Sequence, residues 1–359
     1  RLEAVLVCGA QRSTRAYGLA LLSTKHPADL GMQQVLGETL DYLETYQTTS
    51  NLVLPKDPQA LTFLISRMSN HELVQLASKT PSAAVFTQIT TRPLIDKALR
   101  LKACKNLVEI HKTSLAAQIH QALLRTTSLP DPSSQVELAS MLAASPTGEL
   151  TAMQQQLIEL TQSAQHKTLR ETGFACLLVT NSNIAETQKV TSAEPTTLIE
   201  ILSSIDIIPE ALRSPLYEEI FEIATKRRQV DAVREASVIA LAVIPGDRAR
   251  AFNSIMGELT QGTVEAGAKA LFRFPRRYWQ TELAARGLEG ILEIINKTPA
   301  RERDTIAFKQ SLRAGFELAQ FLPADKAAET RQHLMTLGPA AMTLRVVPHL
   351  MLFDKTEIV

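Results

Sequence analysis

A chain of 359 residues that is 45% hydrophobic with a mean hydropathy of −0.01 carries ample apolar surface, which excludes a disordered polymer. A formal net charge of +1 and a pI near 7.9 create no strong field, which argues against nucleic acid or an anionic membrane as the main partner. Only 5% of residues are aromatic, which favours helix over sheet, and no run approaches the ~20 apolar residues of a membrane span.

Taken in order, residues 1–8, 16–23 and 30–46 read as helices, with Pro27 marking a helix start because a first-turn proline forfeits no internal hydrogen bond. Residues 48–58 are a polar connection. Helices follow at 61–68 and 71–78, the second with Asn70 expected as its N-cap. Breaks at Thr80-Pro81-Ser82 and Arg92-Pro93 bound helices at 83–89 and 99–110. The next helix spans 114–124. Beyond the loop at 129–134, Ser134 is expected to cap 135–144 with Glu137 completing a capping box. Helices are expected at 150–163, 168–179, around 184–191, and at 198–205, 209–226 and 230–244, the last closed by Pro245-Gly246-Asp247. Four more run over 249–260, 264–272, 283–295 and 305–321, and 324–337 is the last. From Met342 to Val359, β-branched and apolar residues mix without a helical stripe, so a strand is expected there.

One pattern recurs along the chain. In Leu99-Arg-Leu-Lys-Ala-Cys-Lys-Asn-Leu-Val-Glu-Ile110, apolar residues at 99, 103, 107 and 110 make the stripe of a helix buried on one face. An arginine followed three positions later by a small residue also opens Arg1-Leu-Glu-Ala4, Arg170-Glu-Thr-Gly173 and Arg234-Glu-Ala-Ser237. These arginines lie 99, 70 and 64 residues apart, close to multiples of about 33 to 35, the period of stacked helical pairs. The arginines read as structural, each bridging to a carboxylate or carbonyl of its neighbour.

Motifs for chemistry are missing from the sequence. There is no Gly-x-Gly-x-x-Gly, phosphate loop or Gly-x-Ser-x-Gly. The histidines at 26, 71, 111, 120, 166, 333 and 349 show no metal-ligand spacing, and His111 and His120 face different sides of their helices. Cys8, Cys104 and Cys176 are far apart and sit in apolar stripes, as buried free thiols do. Lys226-Arg227-Arg228 is explained by a helix C-terminus. The densest aromatic and basic cluster is Phe272-Arg-Phe-Pro-Arg-Arg-Tyr-Trp279, which holds the only tryptophan. Arginine and aromatics are enriched at binding hot spots, so Arg273, Phe274, Arg276, Arg277, Tyr278 and Trp279 are candidates for a partner surface. The competing reading is a loop in which Phe274 and Trp279 pin adjacent helices.

Two places carry a resemblance. Arg1-Leu-Glu-Ala-Val5, His26-Pro-Ala-Asp29, Leu36-Gly-Glu-Thr-Leu40 and Leu43-Glu-Thr-Tyr46 resemble the HEAT-like repeat region of large exported multidomain proteins of planctomycetes and their relatives, described as membrane-bound dehydrogenases. Arg345 onward, with Met351, Phe353-Asp354-Lys355 and Glu357-Ile-Val359, resembles the first strand of an azurin- or plastocyanin-like cupredoxin domain. The resemblance implies an all-α fold: an α-solenoid of roughly ten HEAT-like hairpins over 1–338. Residues 339–359 would be a linker and the first, truncated strand of a cupredoxin-like domain.

In that family the array lies between a β-propeller and a cupredoxin or cytochrome c module. Copper ligands would lie beyond Val359, and Cys-x-x-Cys-His does not occur here. Copper or haem c is therefore expected only in adjoining domains, with no cofactor, metal or catalytic residue in this chain. The implied role is a non-catalytic scaffold and protein-interaction module, a spacer in a periplasmic or otherwise extracytoplasmic redox protein. Its partners would be proteins or neighbouring domains, with no nucleic acid and no membrane span. Two other readings stand beside it: a HEAT-like DNA glycosylase, which needs a basic concave groove, and a free-standing cytoplasmic adaptor. The start at Arg1, without methionine or signal sequence, reads as a mature product or excised region.

Overall fold

The structure, a computed structural model, describes residues 1–337 apart from 12, 26–28, 45–54, 56, 130, 164, 193, 227 and 228. The expected linker and strand at 339–359 and the boundary at Pro27 lie outside the described residues. Among those described there are twenty-one α-helices and no strand, so the fold there is all-α. The chain divides into two compact units after Leu142.

In the first unit, α1 (Leu2–Ala10), α2 (Thr14–Leu21) and α3 (Leu30–Glu44) pack on one another. Then come α4 (Pro58–Arg67), α5 (Asn70–Lys79), α6 (Ala83–Thr91), α7 (Lys97–His111) and α8 (Leu115–Arg125), with α6 resting on α4, α5, α7 and α8. The last, α9 (Ser133–Ala143), follows. Val5, Leu36, Leu40, Leu43 and Leu64 bury together, and Leu73, Phe86, Ile89 and Leu107 form a second cluster. At 25 cal/mol per Å² of apolar area, each fully buried leucine contributes about 2 kcal/mol.

The second unit contains α10 (Thr147–Ala152), α11 (Gln154–Thr161), α12 (Lys167–Asn181), α13 (Ile184–Val190), α14 (Pro195–Ser203), α15 (Tyr217–Thr225) and α16 (Asp231–Leu241). It continues through α17 (Arg248–Gln261), α18 (Val264–Arg273), α19 (Thr281–Lys297), α20 (Ile306–Ala319) and α21 (Ala324–Leu337). From α12 on, the packing interleaves. Helices α12, α14, α16, α18 and α20 touch in succession, as do α15, α17 and α19, while α15 pairs with α16, α17 with α18 and α19 with α20. Two glycines let helix backbones come close: a Cβ on Gly173 would stand 2.7 Å from the Leu157 carbonyl oxygen, and one on Gly267 2.5 Å from the Leu259 Cα.

Sequence signals set most helix starts. Ser114, Asp57 and Asp247 each accept a backbone N–H of the helix they precede, and Pro58 occupies a first helical position. Other expectations need correction. Ser69, not Asn70, caps α5, in a capping box with Glu72; that bond holds the Glu72 carboxyl below its ordinary range. The helix expected at 150–163 breaks at Met153 (φ −104°, ψ 11°), and both resulting pieces pack on α12. The helix expected over 209–226 begins only at Tyr217, after two 3-10 turns. Pro215 has no N–H to donate and would clash within a continuous helix. Arg213 braces this irregular backbone by donating to the carbonyls of Ile208 (2.7 Å), Asp206 (2.9 Å) and Val243 (3.0 Å).

The repeated arginines join helices. Arg100 on α7, 1% exposed, donates to Glu137 on α9 (2.8 Å) and to the carbonyls of Thr90 (2.5 Å), Arg92 (3.1 Å) and Ile95 (3.4 Å). The capping box expected of Ser134 and Glu137 does not form: α9 begins at Ser133, and Ser134 lies inside it with no partner for its hydroxyl among the described residues. Glu137 pairs with Arg100, and the backbone N–H of Ser133 is taken by Asp131 at 2.8 Å. Arg170 on α12 holds Glu200 on α14 at 2.8 Å, and that hydrogen bond raises the guanidinium's proton affinity. Arg234 on α16 reaches the buried Glu258 of α17 at 2.5 Å. The small residue three positions on, Ala103, Gly173 or Ser237, is buried in each case, where a larger side chain would keep the neighbouring helix away. Arg1 is exposed at the start of α1.

Two arginines outside that pattern act alike. Arg92 donates to the last carbonyls of α4, at Ile65 (2.9 Å) and Ser66 (2.8 Å), and to Met68 just beyond it. Arg67 donates to Gly37 of α3 (3.2 Å) and pairs with Asp41.

Leu94, between Arg92-Pro93 and α7, is held at φ 59° with 88% of its surface exposed. A left-handed backbone costs a non-glycine residue about 1–2 kcal/mol, and this leucine buries nothing to offset it. Leu94→Gly is expected to raise stability by about 0.5–1 kcal/mol, after the larger chain entropy of glycine is subtracted. Urea unfolding checks this, and an unchanged or lower midpoint contradicts it.

Candidate functional site

The aromatic and basic cluster lies where α18 hands over to α19. Pro275 cannot continue a helix, so α18 stops at Arg273 and Phe274 closes its last turn through an N–H bond to Ala270 (3.0 Å). A single 3-10 turn, Arg276–Tyr278, then leads to Trp279 and into α19.

The structure divides the six candidates. Phe274 and Trp279 are core residues, 2% and 8% exposed. The Trp279 ring stacks on Phe252 of α17 at 5.9 Å and on Phe321, just past α20, at 5.4 Å. Its indole N–H donates to the Phe274 carbonyl at 3.1 Å, which satisfies the buried polar atom of an aromatic anchor. Phe274 in turn lies 5.5 Å from Phe252. The four remaining candidates are exposed. Arg273 pairs with Asp206 at 2.5 Å and Arg276 with Glu317 at 2.5 Å. Arg277 and Tyr278 project from the turn, with the Arg277 guanidinium 4.9 Å from the Tyr278 ring centroid.

The sequence reading missed a further member. Arg248, in the first turn of α17, brings its guanidinium to 5.1 Å from the Tyr278 centroid and 5.7 Å from that of Phe274. Its Nη1 is buried without a hydrogen-bond partner among the described residues. The only local signal was the turn Pro245-Gly246-Asp247 that starts α17, and nothing in it pointed to a tyrosine 30 residues away.

The other candidate groups are dispersed. Among the described residues no three His, Cys, Asp or Glu side chains converge as a metal site, and no helix is long and apolar enough to cross a membrane. His26, His349, Arg227 and Arg228 lie outside those residues, and Lys226 ends α15. The three cysteines are free and buried. Burial pushes the Cys104 thiol up to about 12 and raises Cys176 further, and a thiol kept protonated is a poor nucleophile. Cys104 and Cys176 are expected to stay unmodified by iodoacetamide at pH 8 in the folded protein and to react fully in urea, as read by intact mass. Alkylation of either in the native state would mean its helix opens.

No family model, no curated protein and no solved structure matches the chain.

Proposed function

We propose that this chain is a non-catalytic helical-repeat scaffold, an α-solenoid of HEAT-like hairpins that serves as a spacer and protein-interaction module within a larger exported redox protein. The observation that carries the reading is the interleaved packing of α12 to α20, in which helices touch neighbours one and two places along. Repeat arrays are built this way, each unit burying its apolar face against the next. Arginine bridges such as Arg170 to Glu200 hold successive units in register. The mechanism is geometric: a stiff array fixes the distance between the domains at its ends and offers side chains at its helix turns to a partner. Redox chemistry belongs to adjoining domains that carry copper or haem c, in a periplasmic or otherwise extracytoplasmic setting, as the resemblance implies.

The test is the intact mass of the polypeptide purified from its source, together with its copper and haem content. A mass well above the 39.5 kDa of these 359 residues, with either cofactor bound, is the expected result. A native polypeptide of this mass, free of both and recovered from the cytoplasm, overturns the spacer reading in favour of a free-standing adaptor.

A further inference from the structure

We propose that Arg248, Arg277 and Tyr278 form a docking point for an acidic peptide segment, gripping its glutamate or aspartate carboxylates. The proposal deepens the protein-interaction reading and rests on it. Most arginines around this turn are already engaged: Arg273 with Asp206, Arg276 with Glu317 and Arg250 with Glu218. Arg248 and Arg277 differ. Neither has a carboxylate partner among the described residues, yet both stand about 5 Å from one ring centroid, at 5.1 and 4.9 Å.

Tyr278 is 37% exposed, and both guanidiniums stand over its ring. Stacking on a ring engages a guanidinium face and leaves its N–H edges to bind; these edges match the two oxygens of a carboxylate. Beneath the pair, Tyr278 meets Phe274 edge-on at 6.4 Å, and Phe274 packs on Phe252, which stacks on Trp279, so the ring that carries both guanidiniums stands on packed core.

An acidic peptide fits this arrangement better than nucleic acid. Two guanidiniums on a chain of net charge +1 offer a local grip for one or two carboxylates, whereas a phosphate backbone calls for many cations along a track.

The experiment titrates the full chain with an end-capped hexaglutamate peptide at low salt, followed by emission of Trp279, the only tryptophan and the immediate neighbour of Tyr278. Arg277→Gln and Arg248→Gln are each expected to weaken binding by about tenfold or more. Arg286→Gln, which removes an exposed cation on α19, should leave it unchanged. Arg277 projects from a surface turn, so its variant is expected to keep native circular dichroism and remains decisive even where Arg248→Gln does not fold.

Absence of binding by the unmodified chain overturns the proposal, as do equal losses in all three variants. So does duplex oligonucleotide binding as tightly as the peptide through the same two arginines. None of these outcomes alters the mass or cofactor content of the native polypeptide, so failure here is distinguishable from failure of the spacer reading.

Discussion

Arg100→Met is expected to destabilise the unit formed by residues 1–142 by about 3–5 kcal/mol, the range for removing one partner of a buried ion pair. The methionine keeps the apolar stem but removes every donor. Glu137 is then left facing an apolar side chain, and the carbonyls of Thr90, Arg92 and Ile95 lose the guanidinium that served them all. Glu137 retains some contact with water, its side chain being 25% exposed, which keeps the loss within that range. The same change at Arg170 removes a pair in which both members keep contact with water, at 21% and 30% exposed, and such solvated pairs contribute less, about 1 kcal/mol. Urea unfolding of the two variants measures the difference. Equal losses would mean that burial of Arg100 adds nothing to its worth.

Trp279→Ala is the second large effect, also about 3–5 kcal/mol, as for other buried aromatics cut to alanine. It empties the space between Phe252 and Phe321 and strips the Phe274 carbonyl of its donor. Trp279→Phe retains an aromatic ring while losing the N–H, so it should cost less than half as much. Unfolding followed by far-UV circular dichroism checks both, and a loss of under about 1 kcal/mol for the alanine variant would remove Trp279 from the core. This role also makes Trp279→Ala unsuitable for probing partners, because a lost affinity would report unfolding.

Local signals account for what was legible in the sequence. Apolar stripes at helical spacing placed nearly every helix, and α21 runs over the residues expected, Ala324–Leu337. Ser114 and Asp247 sit at helix boundaries that the sequence marked, and the structure shows each as the cap, a role decided within three residues. Where the deciding partner is distant, the sequence was silent. Glu137 has the spacing of a capping box, but Arg100, 37 residues upstream, offers a stronger bond. The four arginines read alike in sequence, yet Arg100 is fully buried and Arg1 exposed, because burial depends on which helices arrive from elsewhere. At 273–279 the sequence marked the right turn without separating its roles. Alternation into and out of the core sends Phe274 and Trp279 inward and Arg277 and Tyr278 outward, and Arg248 joins them only through the packing of α17 beside α18.

The bonds from Arg92 to the end of α4 bear on how the protein is made. Helix ends are commonly closed by their own neighbours, within a turn or so of chain. Here the Ile65 carbonyl takes the Met68 N–H in that local way (3.2 Å), but the Ser66 carbonyl waits for a side chain 26 residues downstream. On a ribosome, which delivers the chain from its amino end, α4 emerges with its final turn only partly closed, and the rest is closed only when α6 has followed it out. Synthesis therefore completes this part of the molecule one step behind its own growing end.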